Sequence, residues 1–193
     1  MFQFLSIFTV VACMTLIVSK LYRNRSQPAI GRVVWIVFLI YMIGNLYCTI
    51  FSRVPNLGRM IDLRPFKTYL ELFKEPPEGG GEVTGLFAWF MKDTSSIVGL
   101  ILNIILYYPL GYLLPILFPK LKSKHVIIIG CLCSIATEAT QYLLKMGWCE
   151  TDDVIHNTLG TAIGVWVWLW QSKRLDARRS ASPEAVKPQI NQP

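Results

Sequence analysis

Charge is what this sequence has least of. Lys, Arg, Asp and Glu together make up 16% of its 193 residues, where a soluble domain carries about a quarter. Long segments hold no charge at all and are filled with Phe, Trp, Leu, Ile and Val. A soluble globular domain is thereby excluded, and the length suits four to six membrane-crossing helices. Histidine occurs only twice, and no Ser-His, Cys-His or metal-ligand constellation is recognisable. Of the five cysteines, Cys13, Cys48, Cys131 and Cys133 lie inside apolar runs, and only Cys149 falls in a predicted loop. Cys131 and Cys133 point to different sides of a helix, so neither a disulfide framework nor a zinc site is expected. No basic residue precedes Lys20, so the first apolar run lacks the positive start of a secretory signal and reads as a retained span. An internal repeat, the usual pointer to an inverted-repeat transporter, is also missing.

What remains is hydrophobic length. Five segments qualify as spans: about Phe2 to Ser19, Val33 to Phe51, Ile97 to Phe118, Val126 to Leu144, and Val154 to Trp170. Each approaches the roughly 17 to 25 residues that a helix needs to cross the hydrocarbon layer, and in lipid the backbone must bond to itself. The fold class is therefore an all-α membrane protein, a bundle of about five transmembrane helices. The chain divides into two N-terminal helices (1–51), an outer loop (52–96), a three-helix core (97–170) and a disordered basic tail (171–193). Within the loop, "MIDLRPFKTYLELFKE" sets Phe66, Tyr69, Leu70 and Phe73 at helical spacing, which suits a short interfacial helix. "PPEGGGE" follows as a hinge, and "LFAWFMK" returns aromatics to headgroup level. The net charge of +7 is distributed for orientation rather than for nucleic acid. "KLYRNRSQPAIGR", "PKLKSKH" and the tail are rich in Lys and Arg, which places the N-terminus outside and the C-terminus in the cytoplasm.

Against this background a few polar residues stand out. "SIATEATQYLL" puts Glu138 inside a span, where a charge costs at least about 2.5 kcal/mol if it faces lipid. Gln141 at i+3 and Ser134 at i−4 share its helix face. With the orientation above, Asn103 and Glu138 both lie about 9 Å below the outer surface, and Asn157 lies one turn below Asp152 and Asp153. The two aspartates suit a helix N-terminus. Three spans thus aim polar groups at one depth in the outer half. Gly160 and Gly164 have the spacing by which membrane helices approach closely, and Gly111 sits between Pro109 and Pro115. Pro109 deprives the Ile105 carbonyl of its helical donor, and a kink there would open space beside Asn103. His156 follows Asp153 by three residues and Asp152 by four. The nearest other ligands lie on a different helix, so no metal and no cofactor are expected.

These elements, "NIILYYPLGYLLP" (Asn103 to Pro115), "EATQ" (Glu138 to Gln141) and "DDVIHNTLGTAIG" (Asp152 to Gly164), resemble the VanZ-like family in order and spacing, over about Leu63 to Trp168. "DLRPF" (Asp62 to Phe66) resembles the Asn-Leu-x-Pro-Phe element of that family's outer loop. The resemblance implies a small bacterial cell-envelope membrane protein and low-level resistance to teicoplanin, a lipid-bearing glycopeptide. It carries the family's polar positions onto Asn103, Pro109, Gly111, Glu138, Gln141, Asp152, Asp153, Asn157 and Gly160. An Arg common in the family before the paired acids is here Gly147, with Lys145 as its stand-in. Arg64 is inserted into a usually neutral element.

Three functions compete on these residues. In the first, a non-enzymatic protein engages a membrane lipid, a lipid-linked wall precursor or a lipoglycopeptide in an outward-facing polar groove. Asn103, Glu138, Gln141, Asp152, Asp153 and Asn157 would provide the ligand contacts, with Arg64 as a cation for phosphate or carboxylate. In the second, an intramembrane enzyme uses Glu138 as general base, oriented by Asp153. The third, a small transporter, needs facing polar residues in the inner half as well.

Overall fold

The computed structural model describes residues 2–22, 28–53, 55, 58–67, 69–70 and 94–180. Five long helices appear where apolar sequence predicts them. They are α1 (Phe2–Tyr22), α2 (Pro28–Leu46), α3 (Thr94–Leu117), α4 (Ser123–Leu144) and α5 (Thr151–Ser180). Among the described residues, Ala29–Phe51, Ile97–Leu117 and Ser123–Leu144 are long and apolar enough to cross a membrane, and α1 carries a shorter apolar stretch, Ile7–Tyr22. The helix count matches the expected five, but the apolar length of a full span is met by three.

Helix α3 is the hub. On one side Tyr112 and Leu113 pack with Val18 of α1, Ile30 and Val34 of α2 and Trp168 of α5. On the other side Tyr107, Leu110 and Leu114 pack with Val126 of α4 and Val165 of α5. The closest approach is between α3 and α5, and glycine makes it possible. A Cβ at Gly111 would strike the Thr161 carbonyl, one at Gly160 the Ile104 carbonyl, and one at Gly164 the Tyr108 carbonyl. The predicted small-residue seam is therefore a backbone-on-backbone contact. Large apolar side chains such as Trp35, Ile40 and Ile43 of α2, Leu132 of α4 and Trp166 of α5 face outward.

Helix α3 runs through Pro109 and Pro115 as one element. Beside the turn that Pro109 disturbs, the Tyr41 hydroxyl donates to the Leu106 carbonyl at 2.9 Å. A neighbouring helix thus supplies a donor to that stretch of backbone, as a membrane interior demands. Helix α2 closes in a π-helical turn, Tyr47–Phe51, where the Thr49 and Ser52 hydroxyls bond back to the Asn45 and Cys48 carbonyls. This turn delivers Arg53 to the end of the bundle.

The structure corrects two expectations of the sequence. First, the loop segment read as helical from Met60 begins as a strand. β1 (Met60–Asp62) pairs in parallel with β2 (Trp148–Glu150), in the register Met60 to Trp148, Ile61 to Cys149 and Asp62 to Glu150. Helix starts only beyond Phe66, whose carbonyl accepts the Leu70 N–H at 2.9 Å. Pro65 biases the preceding residue toward extended backbone, and Phe66 takes a left-handed φ of 60°. Phe73 and the "PPEGGGE" and "LFAWFMK" segments lie outside the described residues. Second, α5 does not end at Trp170 but continues to Ser180. Gln171 to Ser180 contain no Gly or Pro, and the Arg174 guanidinium stacks 3.8 Å from the Trp170 ring one turn back. Basic residues there also complement the helix dipole. The rest of the tail lies outside the described residues.

Candidate functional site

The α4–β2–α5 connection builds the site. Helix α4 ends with Lys145 in the left-handed region (φ 59°), and the Met146 N–H returns to the Gln141 carbonyl at 2.8 Å. Gly147 follows at φ +106°, a conformation that L side chains rarely adopt. The chain is thus turned back over the helix end into β2, directly above Glu138. There the Glu150 N–H donates to Glu138 Oε2 at 3.0 Å.

The residues singled out by depth do meet. Asn103 of α3 donates through Nδ2 to Asp153 Oδ1 at 2.6 Å. One turn deeper, Asn157 Nδ2 donates to Ser134 Oγ of α4 at 2.8 Å. Three helices therefore share one polar cluster, and it is a buried one: Glu138 is 3% exposed and Asn157 3%. Gln141 turns the other way, its Nε2 donating to the Thr49 carbonyl at the end of α2, at 2.8 Å. Among the described residues, two buried amide oxygens, Gln141 Oε1 and Asn157 Oδ1, have no hydrogen-bond partner.

Asp152 has a different task from Asp153. It accepts the Phe66 N–H at 2.5 Å and so anchors the segment around Phe66 to the N-terminus of α5. His156 joins the same anchor, its Nε2 lying 2.8 Å from the Tyr69 hydroxyl. The "DLRPF" element is itself a folded unit. The Arg64 backbone N–H donates to Asp62 Oδ1 at 3.1 Å, and the Arg64 guanidinium and Lys67 ammonium reach Asp62 Oδ2 at 2.6 and 2.8 Å. Arg64, expected as a cation for an incoming anion, is thus turned onto Asp62. Both partners hold that carboxyl well below the usual carboxylate range, Arg64 foremost.

The cation of the cluster is Arg53, which sequence reasoning did not single out. Its field acts on Glu138, Glu150 and Asp153 alike. It lies against Gly147, where an added Cβ would sit 2.9 Å from Arg53 Nη1. Lys145, the expected stand-in for a basic residue before the paired acids, is instead an exposed helix cap. Arg53 comes from just beyond the end of α2, nearly a hundred residues earlier in the chain. No spacing rule within "MGWCETDD" could have found it.

A side groove of about 220 Å³ runs between α2, α3 and α4. Met42, Leu46, Ile50 and Leu110 make it mostly apolar, while Tyr41, Asn45, Tyr107, Thr137 and Thr140 give it a polar edge. The Tyr107 hydroxyl lies 3.0 Å from Thr137 Oγ1 and within the field of Glu138. Toward the other end of the bundle, the core between α3, α4 and α5 is apolar: Leu113, Leu114, Val126 and Val165 are all buried.

None of the curated proteins and none of the solved structures matched this chain. A family model did: the one described as VanZ/LLP1 matches residues 33–172, which takes in α2 to α5 and every residue of the cluster. With apolar helices, a buried tri-helical polar cluster and that match over most of its length, the chain belongs to the VanZ-like family of membrane proteins.

Proposed function

We propose that the protein is a bacterial cell-envelope membrane protein of five spans, with its N-terminus outside. In this reading its outer polar end engages the head of a lipid-bearing ligand, a lipid-linked wall precursor or a lipoglycopeptide, and so contributes to low-level teicoplanin resistance. The observation that carries the reading is the excess of acceptors in the cluster. Glu138 and Asp153 bring carboxyl oxygens that receive one donor each, and the Asn157 amide oxygen is buried with no partner among the described residues. A buried acceptor left unmade costs about 1 to 3 kcal/mol, and a ligand head rich in hydroxyl, amide or ammonium donors recovers that cost. Sugar-peptide heads have this character; a bare phosphate does not. The adjoining apolar groove suits a hydrocarbon chain, while fixed polar groups orient the head.

The test is a susceptibility assay in a bacterial host that expresses the protein. Glu138→Gln retains an oxygen for the Glu150 N–H but loses the ionisable carboxyl. It is expected to keep normal membrane abundance and to lose protection against teicoplanin. A glycopeptide without a lipid chain should show no protection in either case. Protection undiminished in Glu138→Gln at equal abundance sinks the reading.

Two carboxyl side chains held at one end of the bundle, Glu138 by the Glu150 N–H and Asp153 by Asn103, are the ground for one second reading, an intramembrane enzyme with Glu138 as general base. It predicts turnover of a purified lipid-linked wall precursor, abolished by the same substitution. The binding reading predicts no turnover.

A further inference from the structure

A second cavity lies at the end of the bundle away from the polar cluster. It measures about 450 Å³ and opens between the last turn of α1 and the extension of α5. Lys20, Arg174 and Arg178 line it, and among the described residues no carboxylate does. Among the described residues none of these three cations forms an ion pair. Leu16, Trp170 and Leu175 give the cavity an apolar side. Arg174 is held in place by stacking on Trp170, which leaves the edge of the guanidinium, with its fork of donors, for an oxyanion.

The floor is polarised in the same sense. The Tyr112 hydroxyl, from the fully buried hub of α3, donates to Gln171 Oε1 at 2.5 Å. Gln171 Nε2 then donates to Ser19 Oγ, also at 2.5 Å. The Ser19 oxygen is thereby engaged as an acceptor, and its own hydroxyl proton remains to be donated. Three cations and a directed hydroxyl thus converge on one space.

Depth identifies which anion is at hand. Arg174 lies 21 residues beyond Asp153 on one continuous helix, or about 32 Å along its axis. This is close to the roughly 30 Å thickness of bilayer hydrocarbon. On the five-span reading proposed above, in which α5 crosses the bilayer, the cavity opens in the headgroup layer opposite the polar cluster, with Trp170 at interfacial level. We infer that it binds the phosphate-bearing headgroup of an anionic phospholipid, with the acyl chains running down the Leu16 and Leu175 side. This site is independent of the ligand proposed for the other end.

Detergent-purified full-length protein, titrated while its melting temperature is followed, tests the assignment. Short-chain phosphatidylglycerol is expected to raise the melting temperature, with an affinity that falls as salt is added. Phosphatidylcholine and inorganic phosphate at the same concentration are expected to leave it unchanged. Arg174→Gln with Arg178→Gln should weaken phosphatidylglycerol binding about thirtyfold, while the corresponding double Lys variant keeps most of it. Lys122→Gln with Lys124→Gln, in the turn and first residues after α3, should behave as wild type. An equal response to phosphatidylcholine removes the charge selectivity, and an equal response to inorganic phosphate makes this a soluble-anion site. Either result overturns the inference, as does wild-type affinity in the double Gln variant. If that variant fails to fold, Lys20→Gln at the exposed end of α1 decides. About fivefold weaker binding supports the inference, and unchanged binding overturns it.

Discussion

Gly164 on α5 and Gly44 on α2 are both helical glycines in apolar runs. A methyl group added at the first would strike the Tyr108 carbonyl, while one at the second meets nothing within 4 Å. The same contrast holds for polar side chains. On the α3–α4–α5 side Asn103 and Asn157 are tied across helices to Asp153 and Ser134, and Glu138 is tied to the backbone of β2. Much of the α2 surface instead presents Trp35, Ile36, Leu39, Ile40 and Ile43 to its surroundings. One half of the bundle is a locked polar-and-glycine core, and the other is an apolar flank laid against it. A lipid solvent offers helices no hydrophobic drive to associate, so the half that must hold a defined geometry is the half built from close backbone contact and hydrogen bonds.

The largest effect should come from closing that seam. Gly164→Ala places its Cβ against backbone rather than against a movable side chain, so the helices must separate. About 3 kcal/mol of destabilisation or more is expected. Gly44→Ala is expected to be neutral or to stabilise by up to about 1 kcal/mol through helix propensity alone. Thermal melts of the two variants in one detergent make the measurement. Equal losses would show that the flank is packed as tightly as the core.

Hydrogen bonds across the core come next. A double-mutant cycle of Ser134→Ala with Asn157→Ala should return a coupling of about 0.6 kcal/mol, with about 1.7 as a ceiling. Thr158→Val removes a hydroxyl that bonds only to its own helix, at the Val154 carbonyl, and should stay within about 0.5 kcal/mol of wild type. A zero coupling would reduce the Ser134–Asn157 contact to a coincidence of packing.

The helices were legible in the sequence because hydrophobic length and a 3.6-residue period are local signals. The pairing of Asn103 with Asp153 was not legible, since the rise per residue set Asn103 level with Glu138 and left Asp153 at its helix start. The strand pair was not legible: three residues are too few to show alternation, and Ile61 and Cys149 are joined only by the fold. Arg53 was hidden among six basic residues of the long loop, since nothing in its neighbours marks it as the one carried under Gly147. The side groove was hidden for a related reason. Tyr41 and Asn45 look like ordinary residues of an apolar run until α3 is laid across them. The resemblance to the VanZ-like family was legible because its elements keep their order even where single residues depart from the pattern.

The smallest effect sharpens the comparison at the loop seam above the core, where Asp62 and Glu150 lie opposite each other in the strand register. Their carboxyls are shifted in opposite directions. Burial pushes Glu150 up, with Asp152 and Asp62 adding to the push against Lys67 and Arg53. Hydrogen bonds from Arg64 and Lys67 hold Asp62 down. For Glu150 the ionised form is the disfavoured one in the folded protein, so stability rises as pH falls through its raised pKa and levels in the ordinary carboxyl range. Glu150→Gln should therefore melt higher than wild type at neutral and alkaline pH, with the gap closing on acidification. For Asp62 the sign reverses. Its stabilisation is present above the ordinary carboxyl pKa and is lost only as pH falls through the depressed folded value. Asp62→Asn should melt lower than wild type at neutral pH and stay lower until strongly acid conditions. Melting curves across pH for the two variants should diverge in slope, and parallel curves would mean that the strand pair does not couple the loop to the core.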